Sequence, residues 1–506
     1  MTILKKNLPL LIFQIGFTTC IAQDRQAEDL EVVFTMQGVI EQAQSNSLES
    51  FISENQLAAA YWANENYKAM RLPRANLNLN PFSYSRRISQ QFDPDDQRFK
   101  YFEIQNLNST ASLSLSQNLT FSGGTVNVIS DLGRLVNYGD FSNEQFSATP
   151  IQIGINQPIF GYNRFKWDKL IEPLRFQKAK LSYLKKGTDI AERALTYYFN
   201  VAAALMNKEI SEKNMQRTDS LYEIGKKRFA LTTIKEADLL NLRLEYLNNK
   251  TTHTQAINQL NRSKNQLLTY LNLDQDQNIK TVIPKEIPDL LIDPEAGLEL
   301  AKKNNPSYKE YAERKLLANR NLDQTKKGTG IIAGINASLG LNQTAGNFQG
   351  AYSNLLDQQY VNIQLSIPLL DWGAAKGQRI LAEREKEVEL ISIAQDEAEL
   401  EQQIKTTIQE FNLKPELVRN SKEAAEVAEK VYSQYIKRFQ MGLVDVNTLI
   451  LQQQRKDVAL RNYLNELQDF WLRYYQIRSL TLYDFIEKRD LTEELDDLIY
   501  QFDFVK

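Results

Sequence analysis

The sequence predicts a mainly α-helical chain with a transmembrane β-barrel portion, assembled from two halves of the same strand-and-long-helix design. Three observations predict it. The chain contains an internal repeat of about 200 residues, too long for a solenoid unit. Its strand-like segments alternate apolar with small polar residues. Its helical segments carry coiled-coil seams far longer than a globular domain uses.

The repeat is read directly from the residues. Tyr222, Lys227, Arg228, Phe229 and Leu239 match Tyr432, Lys437, Arg438, Phe439 and Leu449 without a gap. The Gln157-Pro158 turn matches Ile367-Pro368 at the same offset. Closer to the start of each copy, Glu41, Ala43 and Asn46 match Glu299, Ala301 and Asn304 only if the first copy carries an insertion of about 48 residues.

With 506 residues and a formal net charge of −3, the chain has no basic arm and nothing that suggests nucleic acid. Residues 1–22 read as a secretory signal: Lys5 and Lys6, a short apolar core, then small residues up to Ala22. The single cysteine, Cys20, lies within it. Cleavage after Ala22 removes it, and lipidation of Cys20 is the alternative. No later apolar run is long enough for a membrane helix. The expected divisions are a signal at 1–22, a first repeat at 23–271, a linker at 272–297, a second repeat at 298–483 and an acidic tail at 484–506.

Strands come first within each repeat. Leu77 and Leu79 alternate with Asn76, Asn78 and Asn80; Leu113 and Leu115 alternate with Ser112, Ser114 and Ser116. Ile151, Ile153 and Ile155 alternate with Gln152, Gly154 and Asn156, and Val361, Ile363 and Leu365 repeat the pattern in the second copy. An apolar outside with a wet inside suits a lipid-facing barrel, although a soluble sandwich alternates in the same way. Phe82, Tyr84, Phe146, Phe160, Tyr352 and Trp372 lie near strand ends, as an interfacial girdle requires. The insertion has its own alternating pair about Gly123-Gly124, followed by a polar loop at 138–149. It is expected to be an extracellular hairpin, leaving four wall strands per chain; two added wall strands are the alternative.

Helices follow. From about residue 162 to 227 the pattern is helical, about 100 Å long at 1.5 Å per residue. Leu181, Leu184, Ala191, Leu195, Tyr198 and Ala202 form its seam, and Ile393, Leu400, Ile404, Thr407 and Phe411 form the equivalent one. Pro415 is expected to break or kink the second helix. The prolines of the linker, Pro284, Pro288 and Pro294, exclude one continuous helix there.

Catalytic groups are sparse. His253 is the only histidine, and no Cys/His set for zinc occurs. No enzyme, metal or cofactor is expected. The informative motif lies between the long helices: RFQMGLVDVNTLIL at 438–451 and RFALTTIKEADLLN at 228–241. Gly442 can end one helix in a left-handed conformation and Asp445 can cap the next. Thr232 and Lys235 occupy those places in the first copy.

The duplicated halves, the Pro158 and Pro368 turns and the R-[FY]-x-x-G-L turn together resemble the TolC family of outer-membrane efflux and export channels. The resemblance implies a homotrimer with one shared barrel in outer-membrane lipid and a periplasmic α-helical coiled-coil tunnel. It implies a passive conduit, with a periplasmic adaptor and an inner-membrane pump or ABC exporter as partners. Arg228, Phe229, Leu231, Arg438, Phe439, Gly442 and Leu443 fall at the adaptor-contact tip, and Asp238, Asp445 and Thr448 at its gate. Two places depart from the family pattern: Thr232 replaces a glycine, and Thr448 stands where Asp238 is acidic in the first copy. An exported coiled-coil scaffold without a membrane barrel is the alternative reading.

Overall fold

The computed structural model describes residues 32–93, 96–139, 142–274, 279–284 and 286–494. The signal at 1–22, Cys20 and the last part of the acidic tail lie outside the described residues.

Each repeat opens with a short strand and two helices. In the first these are β1 (Val32–Thr35), α1 (Met36–Asn46) and α2 (Leu48–Ala69). In the second they are β6 (Ile279–Val282), α5 (Pro294–Asn304) and α6 (Pro306–Gly328). β1 and β6 pair in parallel, Val32 with Ile279 through Thr35 with Val282, and so tie the two repeats together. The linker therefore holds a strand, and α5 begins inside its expected span, with Pro294 at the first helical position where a missing N–H costs nothing.

The wall strands are β2 (Arg74–Asp93), β3 (Arg98–Asn118), β4 (Thr125–Tyr138) and β5 (Asn143–Pro158) from the first repeat, and β7 (Ile332–Ala345) and β8 (Leu356–Ser366) from the second. They form one antiparallel sheet in the order β2-β3-β4-β5-β7-β8.

The long helices are α3 (Arg164–Ala230) and α4 (Glu236–Tyr270), then α7 (Ala374–Gln440) and α8 (Val446–Thr481). α3 and α7 have 67 residues each, about 100 Å at the helical rise. Each starts just past a proline-marked strand end. Asn163 caps α3 by accepting from the Lys166 N–H at 3.1 Å. At α7 the cap residue is Gly373, at φ +90°, and Asp371 takes over the capping, accepting from the Gly373 and Ala375 N–H groups at 3.0 and 2.9 Å.

The predicted seams are the core. Ala191, Leu195, Tyr198 and Ala202 of α3 and Ile393, Ile404 and Phe411 of α7 are fully buried. Ala191, Leu195, Tyr198, Ile404 and Phe411 join residues of α1, α4, α5 and α8 in one cluster. Such burial holds a helix together where local propensity does not. It explains why the break expected at Pro415 does not occur: α7 runs through Pro415 without ending, and α3 likewise runs through Pro173. Each ring removes one ladder bond, but dozens of residues on either side are fixed by tertiary packing. The start of the acidic tail is side-packed: Leu491 is buried against Leu181, Leu184 and Leu482.

Candidate functional site: the sheet wall and the helical tip

Register decides which residues share a face. Leu77 pairs with Leu113 and Leu115 with Val128. Val128 pairs with Ile153, Ile153 with Leu339, and Ala337 with Val361. One face is therefore apolar across all six strands. Its opposite is Asn76 with Ser114, Ser114 with Ile129, and Ile129 with Gln152, continuing through Gly340 and Gln358. Leu113, Leu115, Ile151, Ile153 and Leu339 are exposed, whereas Ser112, Ser114, Gln152, Gly154 and Ser338 are half-buried. A curved sheet covers its concave face, so the apolar face is the convex one. Convex apolar and concave polar is the arrangement of a lipid-facing wall around water.

The insertion does not stand outside this wall. β3 and β4 lie between β2 and β5, in register down to the base, where Arg74 meets Ser116 and Thr125 meets Asn156. The turn between them docks on the strand-to-helix junction. Asn163 donates its amide to the carbonyls of Thr120 and Phe121 at 3.2 and 3.3 Å. Gln157 donates to the Ser122 carbonyl at 3.1 Å. Gly123 sits at φ +80°, and a Cβ on Gly124 would stand 2.9 Å from the Asn156 carbonyl. The expected four wall strands are thus six, and the segment read as a polar loop at 138–149 already belongs to β5 from Asn143. Alternation reports which face a residue takes, not which strand lies beside it. Only the far ends of β2 and β3, beyond the pairing of Gln105 with Tyr138, stand clear of the other strands.

Aromatic side chains mark both ends of the apolar band. Phe82, Tyr84 and the Phe146–Phe348–Tyr352 cluster lie at one end. Phe121, Phe160 and Trp372 lie exposed at the helical end.

At the opposite extreme, the two helix-to-helix turns share one backbone. In the first, the Thr233 N–H donates to the Arg228 carbonyl and the Thr232 N–H to the Phe229 carbonyl, both at 2.9 Å. In the second, Leu443 donates to Arg438 at 3.0 Å and Gly442 to Phe439 at 2.9 Å. Each is a Schellman closure with a left-handed residue, Thr232 at φ +55° and Gly442 at φ +77°.

The turns also meet. The Arg228 guanidinium lies 5.7 Å from the Phe439 ring, and Arg228, Asp238, Gly442, Leu443 and Asp445 line one cleft of about 340 Å³. Asp445 accepts from the Thr448 N–H at 2.9 Å and its hydroxyl at 2.7 Å, and these bonds hold its carboxyl below the usual carboxylate range. Equivalent positions differ sharply in exposure. Phe229 is 41% exposed, but Phe439 is 5% exposed, packed with Leu242, Val446 and Leu449. Leu231 and Leu443 are open to solvent at 71% and 66%, as is Met441, the counterpart of Leu231, at 69%. Arg438 is also exposed.

A buried polar layer above the tip was missed in the sequence. Lys456 lies 3.1 Å from Asp457 and 4.8 Å from the Tyr432 ring. Asn214 donates to Asp457 at 2.6 Å, and Tyr432 donates to Gln453 at 3.1 Å. The spacing of Val446, Leu449, Gln453 and Lys456 carries the signal: the last two fall on the α8 seam, where a polar residue must be paired. Among the described residues no cluster of His, Cys, Asp or Glu could hold a metal, and no helix is long and apolar enough to cross a membrane.

No family model matches the sequence. No curated protein matches it either. Solved structures do match the fold. The Campylobacter jejuni CmeC outer membrane channel aligns over 92% of this chain and 89% of its own, with a TM-score of 0.66 and 11% identity. The outer membrane protein VceC from Vibrio cholerae aligns over 88% of this chain and 96% of its own, with a TM-score of 0.61 and 14% identity. CusC, described with transmembrane channel formation, aligns over 91% and 95% at a TM-score of 0.61 and 12% identity.

Proposed function

We propose, from this shared fold, that the chain is the outer-membrane channel of a tripartite efflux or type I secretion system. It works as a homotrimer, a passive conduit through the outer membrane and the periplasm. A periplasmic adaptor docks on its tip and joins it to an inner-membrane pump or ABC exporter, which supplies the energy. The observation that carries this reading is the predominantly apolar convex face that runs over all six strands. In water that face is an aggregation surface; in lipid it is a barrel exterior whose backbone must close into a ring. A soluble scaffold has no use for it.

The tip supplies the partner half of the reading. Leu231, Met441 and Leu443 lie on two adjacent turns and are largely open to solvent, which suits a hydrophobic adaptor contact rimmed by Arg438 and Asp445. Phe439 acts differently from its assigned role: it supports Arg228 from inside. Asp238 lines the cleft between the turns and Thr448 is bonded to Asp445 beside it, and this is where we place the gate. Replacing Leu443 with Asp tests this. The trimer and its membrane fraction should persist, while efflux or export falls at least tenfold and crosslinking to the adaptor disappears. Normal transport with crosslinking intact removes the docking assignment, and a monomer in detergent removes the channel reading itself.

A further inference from the structure

The two edges of the sheet are unmatched within the chain. β2 and β8 each pair on one side only, and they do not pair with each other. Inside lipid such edges cannot stay open. β2 and β8 run in opposite directions, since consecutive neighbours across the sheet are all antiparallel. The β8 edge of one copy therefore meets the β2 edge of the next as a further antiparallel pair, a head-to-tail contact that closes into a ring.

We infer that the inserted hairpin enlarges the outer-membrane pore: three copies close an eighteen-stranded barrel whose lumen sorts cargo by size and not by charge. This rests on the trimeric channel reading above. With strands about 4.8 Å apart and tilted about 40°, eighteen strands give a wall about 36 Å across and twelve give about 24 Å. Side chains on both walls leave about 25 Å of open width in the first case and about 15 Å in the second.

The inserted strands are built for this position. They continue the apolar exterior with Leu113, Leu115, Val126 and Val128, and the polar interior with Ser112, Ser114, Ser116 and Asn127. The concave face through the apolar band is mostly Asn, Gln, Ser and Gly, interrupted by Ile129 and Tyr360, and Asp131 brings a charge to it between the base and the rim. Such a lining offers hydrogen bonds to any polar solute and no field strong enough to select an ion. Bulky polar cargo fits it.

Cysteine pairs in the full chain test the strand order, with the native Cys20 changed to Ser. Val128→Cys with Ile153→Cys places two thiols on directly paired residues of β4 and β5, within disulfide reach. Leu77→Cys with Ile153→Cys reports the twelve-strand arrangement, in which β2 and β5 are neighbours. In outer membranes the first pair should oxidise and the second should not. A disulfide at the second pair overturns the inference while the trimer, measured by native mass spectrometry, still stands. A monomer overturns the channel reading instead.

Width is read separately with Ser338→Cys, on the concave face of β7, labelled from outside intact cells. A polymer maleimide about 20 Å across should react, as a small maleimide does. Reaction with the small reagent alone overturns the enlarged lumen.

Discussion

The turn between α3 and α4 and the turn between α7 and α8 have the same hydrogen-bonded backbone and unlike side chains at both critical places. Where the second uses Gly442 for the left-handed residue, the first uses Thr232, a β-branched residue that pays about 1–2 kcal/mol for that conformation. Where the second caps α8 with Asp445, the first offers Lys235, whose side chain makes no capping bond. The first turn compensates in part. Thr233 and Thr232 hydroxyls donate to the Arg228 and Leu231 carbonyls at 2.9 and 2.8 Å, and Glu236 and Asp238 lie in the first turn of α4, where the helix dipole favours acids. The difference teaches that the repeat preserves a backbone shape, while stability at the tip has been concentrated in one half. The first turn is the weaker of the two, and it opens at lower cost.

The sharpest break of that contrast is Gly442→Val. The left-handed conformation then strains a β-branched residue, and its Cβ stands 2.9 Å from the Arg228 guanidinium, which must shift to make room. A loss of about 2 kcal/mol in local stability is expected. Hydrogen exchange at the first amides of α8 should speed about thirtyfold; unchanged protection would show that the second turn owes little to its glycine.

The reverse exchange makes the first turn resemble the second. Thr232→Gly with Lys235→Asp removes the strain and supplies the missing cap, for a combined gain of about 1–2 kcal/mol. Exchange at the last turn of α3 and the first of α4 should slow about tenfold. If the two turns still differ as before, the asymmetry arises elsewhere in the bundle.

The smallest expected effect is in acid. Hydrogen bonds from Thr448 hold the Asp445 carboxyl below its ordinary value. Its contribution is thus fully present above the unfolded carboxylate value of about 3.9 and fades as pH falls through the lower folded value. Exchange measured down that range should loosen the second turn selectively. Equal loosening of the first turn, which has no carboxylate cap, would detach the effect from Asp445.

Much of this was legible in the residues. Seams at three, four and seven residues fixed the long helices because burial follows that period directly, and Gly442 and Asp445 announced their turn by conformational need. Two things were hidden. The wall position of β3 and β4 depends on strand neighbours, and the alternation of Leu113 with Ser114 is the same in a wall strand or a free hairpin. The burial of Phe439 beside the exposure of Phe229 was equally hidden, because aligned positions in two repeats meet different neighbours once the helices pack: Phe439 finds Leu242 of the other repeat. Lys456 was legible in principle, since it sits on a seam beside its ion-pair partner Asp457, but the Tyr432 ring of α7 and Asn214 of α3, which complete the layer, come from other helices.

The short parallel pair of β1 and β6 bears on how the chain acquires its shape as it is made. Val32 cannot find Ile279 until the whole first sheet segment and its long helical hairpin have been synthesised. Until then Phe34, destined for the central core, stays uncovered, and the edge of β1 lies open to other chains. Loop closure over so long a separation is slow. The interval between emergence of the two strands is consequently when the chain is most exposed to misassembly, and shielding of its extended apolar segments matters most before the second repeat appears.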